Sequence, residues 1–151
     1  MLKSNILRPC FVAISLTVAV ISSSAAPAMV SIKGGTVNMR AGPDLSKEVL
    51  WELQGGYPLE VLKRQGSWLQ VQDFENDRGW IFKKLTNRVP HHIVKARIAN
   101  IRSGPGTGHK IVGQAVKGDL LLTREKRKGW VRIDREFGQS GWIARRLVWG
   151  W

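Results

Sequence analysis

Two small β-barrels in tandem, an all-β architecture preceded by an export signal, are what this 151-residue sequence predicts. Three observations carry that expectation. Asn38, Arg40, Gly42, Pro43, Gly56, Leu59, Trp68, Gly79, Trp80, Ile81 and Leu85 each meet the same residue 62 positions further on, and 38–85 lies on 100–147 without a gap, so one structural unit is used twice. Within a unit the apolar residues alternate, as in Thr36-Val37-Asn38-Met39-Arg40 and Trp68-Leu69-Gln70-Val71-Gln72, which is the period of a half-buried strand. No window of a dozen residues carries a helical stripe, while Gly55-Gly56, Gly66-Ser67, Asn76-Asp77 and Gly79 punctuate the chain into about five strands per unit.

The N-terminus is of another kind. Lys3 and Arg8 precede an apolar run, Phe11–Ile21, and small residues follow up to Ala26-Pro27-Ala28. This is the layout of a secretory signal, with cleavage expected after Ala28 and Met29 as the new first residue. The run is too short for a membrane span, which needs roughly 20 residues. Cys10 lies ahead of it, where a lipid-anchoring cysteine would instead close it, so an exported, soluble product in the periplasm or outside the cell is expected, rather than one held by a retained N-terminal anchor. With residues 1–28 removed no cysteine remains, and apolar packing alone must hold each unit.

The expected organisation is a signal peptide over 1–28, a first barrel over 29–87, a linker over 88–92, and a second barrel over 93–151 that includes a tryptophan-containing tail. Charge is shared unevenly between them. Residues 29–90 hold 9 basic and 7 acidic side chains, against 13 and 4 in residues 91–151, so net charge rises from +2 to +9. A surface that positive points to an anionic partner such as a wall polymer, phospholipid headgroups or lipopolysaccharide, with weak attraction to the cell surface as the plainer alternative.

After the strand that ends at Arg102, Ser103-Gly104-Pro105-Gly106-Thr107-Gly108 supplies residues that reach positive φ or preset a turn, so the chain can leave the sheet and return as Ile111-Val112. The order N-x-R-x-G-P, then G-x-x-L, a lone Trp before alternating apolar residues, G-W-I and a last Leu occurs twice. It is similar to the bacterial SH3-like (SH3b) domain family in its tandem, exported form. The resemblance implies a pair of SH3-like small β-barrels that serve as targeting or scaffold modules of the cell envelope, often beside peptidoglycan-cutting enzymes. Proline-peptide recognition is not expected, because Phe82 and Leu85, or Ala144 and Leu147, stand where a proline-binding SH3 domain keeps aromatic residues and a proline.

No cofactor, metal site or catalytic group is expected, and the chain is read as not an enzyme, since no nucleophile pairs with a base and no ligands cluster. His91 and His92 are adjacent in an extended segment between the repeats, so their side chains point apart. His109 corresponds to Lys47 and is not a repeated imidazole. Asp73, Glu75 and Asp77 crowd one turn yet lack the flanking ligands of a calcium loop. The glycine-rich loop has no Gly-Lys-Ser/Thr ending for a phosphate.

The aromatic residues carry the binding expectation. Trp80 and Trp142, in Gly-Trp-Ile, are expected to cover the core, whereas Trp68 and Trp130 alternate with core positions and face outward or into a groove. Around Trp130 gather Lys126, Arg127 and Lys128 at a hairpin tip, Arg132 on the same strand face, and Arg145 with Arg146. These residues, with Trp68, form the expected ligand site. Peptidoglycan or another anionic envelope polymer is its first partner, and a periplasmic adaptor role on a protein partner is the alternative. Nucleic acid would suit the same chemistry but is opposed by the export signal. At least one of Trp149 and Trp151 is expected to dock on a barrel or between the two, since both in water would be an aggregation hazard.

Overall fold

The computed structural model describes residues 27–135 and 138–151. Lys3, Arg8, Cys10 and the apolar run of the expected export signal lie outside the described residues. Among the described residues no helix is long and apolar enough to cross a membrane.

Among the described residues the chain forms fourteen strands in two sheets of identical design. The first sheet comprises β1 (Ala28–Ile32), β2 (Thr36–Arg40), β3 (Val49–Gln54), β4 (Pro58–Gln65), β5 (Trp68–Gln72), β6 (Arg78–Phe82) and β7 (Thr86–Asn87). The second comprises β8 (His91–Val94), β9 (Ile98–Arg102), β10 (Ile111–Val116), β11 (Leu120–Arg127), β12 (Trp130–Asp134), β13 (Ser140–Ala144) and β14 (Val148–Gly150). A single turn of 3-10 helix, Lys83–Leu85 or Arg145–Leu147, joins the last two strands of each sheet. Strand order is β3-β2-β6-β5-β4-β1-β7 in one and β10-β9-β13-β12-β11-β8-β14 in the other, with every pair antiparallel.

Each sheet wraps one apolar core built from alternate positions. Val37 and Met39 of β2, Leu69 and Val71 of β5 and Ile81 of β6 meet Ile32, Leu53 and Leu59 in the first, while Ala99, Ile101, Val131, Ile133, Ile143 and Leu121 do so in the second. The longest strand of each sheet bends through an extra residue, Leu62 between Val61 and Lys63 or Arg124 between Thr123 and Glu125. A bulge at the same place in both copies lets one strand serve both halves of a strongly curved sheet.

Gly79 and Gly141 explain the repeated Gly-Trp-Ile. A Cβ on Gly79 would lie 2.5 Å from Met39 Cγ and 3.1 Å from the Arg40 carbonyl oxygen, and one on Gly141 would collide with Ile101 Cγ2 and the Arg102 carbonyl. Glycine is required because β2 and β6, or β9 and β13, cross there through a single residue pair, Arg40 with Trp80 or Arg102 with Trp142.

Several expectations need correction. There are seven strands per unit, because β1 and β8 also repeat and β7 and β14 are too short to show a period. The segment expected as a linker is shorter than 88–92, since His91 and His92 open β8 and His92 is 1% exposed. Trp80 and Trp142 stand outside both apolar clusters, although Trp142 is buried. The inward positions are Gly79, Ile81, Gly141 and Ile143, and strict alternation turns both indoles to the opposite face, where Trp142 is buried beneath the Arg127 guanidinium at 5.1 Å from the ring centre.

The two units touch. Ser31 Oγ donates to the Val89 carbonyl at 2.8 Å and accepts the Trp151 indole N–H at 3.0 Å. Lys117 Nζ lies 2.6 Å from Glu75 Oε1 and 5.8 Å from the centre of the Phe74 ring.

Candidate functional site

Arg102, the arginine of N-x-R, reaches from the end of β9 across the following loop and donates through Nη1 to the carbonyls of Thr107 at 2.9 Å and His109 at 2.8 Å. Arg40 does the same for the first copy, donating to the Lys47 carbonyl at 2.8 Å. One guanidinium thus organises each Gly-Pro loop beside the sheet. Asn100 accepts from Gln114 Nε2 at 3.0 Å, which fixes its amide.

The organised loop forms one wall of a groove of about 830 Å³ in the second unit. Trp130 lines it. The 3-10 turn is held against the β11–β12 hairpin by Arg145 N–H donating to the Gly129 carbonyl at 2.9 Å, and it brings Arg145 and Arg146 to the second wall. Lys95 and Trp149 complete the rim. Four cations around an indole make a surface that attracts anions and offers a flat apolar contact.

Of the expected site residues the structure brings together Trp130, Arg145 and Arg146. Arg132 and Trp130 share the outer face of β12, opposite Val131 and Ile133. Arg127 stacks on Trp142 and bonds Glu125 Oε1 at 2.7 Å, and Lys126 and Lys128 are exposed at the hairpin tip. Trp68 belongs to the first unit and is half-buried, with the Phe82 ring 5.4 Å away in an edge-on arrangement. Sequence reasoning missed Arg102, Lys95 and Asn100 as groove residues. The signal was present, since Asn and Arg recur in both copies, but the motif was read only as a loop support.

His92 sits at the groove floor, its Nδ1 2.6 Å from Thr123 Oγ1. Burial lowers its pKa to about 4, and the positive charges of Lys126 and Arg145 push the same way, so the imidazole is neutral near neutrality. The acidic turn is structural. Asp73 Oδ1 accepts the backbone N–H groups of Glu75 at 2.8 Å and Asp77 at 2.9 Å, and its Oδ2 accepts from Tyr57 Oη at 3.2 Å. Among the described residues no three His, Cys, Asp or Glu side chains gather as a metal site.

Geometry and sequence converge on a class of small β domains found in tandem, and the chain belongs to the bacterial SH3 domain family. Two family models described as bacterial SH3 domain match residues 33–87 and 98–148. The Bacillus subtilis protein YrvJ, provisionally named an N-acetylmuramoyl-L-alanine amidase, is 26% identical over 138 residues, which cover 84% of this chain and 26% of that protein. Among solved structures, NlpC1 from Trichomonas vaginalis is 19% identical with a TM-score of 0.38, covering 87% of this chain and 50% of its own. An NlpC/P60 family protein from Bacillus cereus is 13% identical with a TM-score of 0.38, covering 81% and 56%. The chain thus spans about a quarter of the curated relative and about half of these structures.

These matches correct one expectation. The chain was expected not to be an enzyme, whereas the relative aligned with most of it is named an amidase. That expectation is given up. It rested on the lack of a familiar nucleophile–base pair alone.

Proposed function

We propose that this protein is exported to the cell envelope, with residues 1–28 removed, and there grips peptidoglycan through the groove around Trp130, in the service of peptidoglycan cleavage. The observation that carries the reading is the juxtaposition of Trp130 with Arg102, Arg145, Arg146 and Lys95 in one groove. An indole gives contact area at small entropic cost, and the cations suit the carboxylates of wall glycan and stem peptide. The membership in the bacterial SH3 domain family and the name of the Bacillus subtilis relative support the same target.

Co-sedimentation of the purified protein with protein-free sacculi over a salt series tests it. Binding should weaken steeply as salt shortens the screening length from about 10 Å to about 3 Å. Trp130→Ala should lower affinity at every salt concentration, because apolar contact is not screened, whereas Arg145→Gln with Arg146→Gln should mainly flatten the salt dependence. Salt-insensitive retention, or full retention of Trp130→Ala, would place the ligand elsewhere.

A second reading, docking on a protein partner, is favoured by the open edge strand β3. Trp51 there is 52% exposed, Leu45 before it is 73% exposed, and Val49 and Leu50 lie between them. Protein-free sacculi separate the readings, since this edge would have nothing to bind.

A further inference from the structure

The two copies keep the same frame of cations and differ at the aromatic floor. Lys33, Arg40, Lys83 and Lys84 stand 62 positions before Lys95, Arg102, Arg145 and Arg146. The backbone beneath them is also repeated, because Lys83 N–H donates to the Ser67 carbonyl at 2.8 Å as Arg145 N–H does to that of Gly129. The residue facing the tryptophan across the strands is not repeated. Trp68 is the Cα partner of Phe82, and Trp130 that of Ala144. The Phe82 ring stands against Trp68 with 5.4 Å between ring centres and 68° between planes. Ala144 ends at its Cβ, and it lines the groove beside Trp130.

We infer that residues 82 and 144 decide which of two homologous sites is open, and that Phe82 fills in the first copy the place taken in the second by a ring of the ligand that also bears a negative charge. The inference rests on the wall-binding reading above and narrows it to a sugar unit whose carboxylate is free, as on glycan cleared of its stem peptide. The reasoning is steric first. A phenyl group at 82 stands edge-on against the indole, and truncation to a methyl group at 144 leaves that space free. A six-membered ring fits the space, as the phenyl shows, and a pyranose can lay its apolar face against an indole. The charge follows from the frame, since Arg102, Arg145, Arg146 and Lys95 lie about that floor. The first copy keeps comparable cations, with Asn87 for Trp149 and Leu45 for Thr107 at the edges and Phe82 for Ala144 beside the indole.

The test labels the full chain with 5-fluorotryptophan, assigns the Trp68 and Trp130 fluorine signals by Trp→Phe variants, and titrates N-acetylmuramic acid, N-acetylglucosamine and lactate. Expected in the unsubstituted chain is a response of Trp130 and none of Trp68, strongest with the sugar that carries the carboxylate. Ala144→Phe should weaken that response about tenfold, the scale of losing a central contact. Phe82→Ala should make Trp68 respond, and the double variant should move the response from Trp130 to Trp68. A phenylalanine already occupies this register in the first copy, and the fluorine shift between water and D2O reports whether each indole is covered in every variant. A Trp130 response indifferent to Ala144→Phe, or an equal response of Trp68 in the unsubstituted chain, would overturn the inference. If glycan strands freed of stem peptides retain Ala144→Phe as well as the parent, this inference falls and wall binding stands. If the parent fails to sediment with sacculi while Trp130 responds to the sugar acid, wall binding falls and the selective site stands.

Discussion

A glycine and its neighbours show most directly how single residues build this molecule. Gly79 and Gly141 lie in the same place, yet what each would strike differs. Beside Gly79 are Cγ and Sδ of the unbranched Met39 with the Arg40 carbonyl, and beside Gly141 are Cγ2 of the β-branched Ile101 and, closer than its counterpart, the Arg102 carbonyl. A thioether chain can swing aside, whereas isoleucine is stiff at χ1. Gly141→Ala should therefore destabilise by about 2–3 kcal/mol and Gly79→Ala by about 1 kcal/mol, the range of overpacking costs. Urea melts of the two variants measure the difference, and equal losses would contradict it. The sequence showed Gly-Trp-Ile twice but not what it was for. Alternation, applied strictly, would have turned Gly and Ile inward and Trp outward, and the size of the indole argued the other way.

At the scale of the element, β8 is where polar residues concealed a strand. Met29-Val30-Ser31-Ile32 of β1 corresponds to His91-His92-Ile93-Val94, so valine in one core has become histidine in the other. Its partner changes with it, because Val61 corresponds to Thr123, whose hydroxyl lies 2.6 Å from the imidazole. Two histidines beside a proline resemble a solvated link, and only the cross-strand partner, 31 residues away, makes His92 legible as core. Its folded pKa of about 4 lies below the ordinary value of 6.5, so the unfolded chain takes up the proton first. Stability contributed here is full above about pH 6.5, falls as pH drops through the window down to about 4, and is level below it. The loss should reach about 2–3 kcal/mol by linkage. His92→Val with Thr123→Val copies the first unit and should remove most of that slope from denaturant melts between pH 7 and pH 4. Retention of the full slope would assign it to other groups.

Across the whole molecule, the repeat, the strand class and the outward tryptophans were legible because each is a local pattern. The groove was not, since Lys95 with Arg102, Trp130, and Arg145 with Trp149 are gathered from three separate stretches, while adjacency in sequence favoured Lys126–Lys128 at a hairpin tip. The contact between units was equally hidden. Trp151 reaches Ser31 across 120 positions, and Ser31 in turn holds the Val89 carbonyl of the connecting segment. Trp151→Ala should speed amide exchange in β1 and β14 and leave β5, β6, β12 and β13 unchanged, as read by peptide-level hydrogen exchange. Uniform acceleration would show instead that the indole supports a whole unit. The identical strand order of the two sheets has a further consequence, for the growing chain. Every strand of one unit has a counterpart in the other that could pair in its place, and repeat proteins misassemble by such exchanges. The unlike side chains at matched positions, Phe82 and Ala144, Val30 and His92, Ser31 and Ile93, make a borrowed strand fit badly. Divergence between the copies thus guards each nascent unit against trading strands with its neighbour.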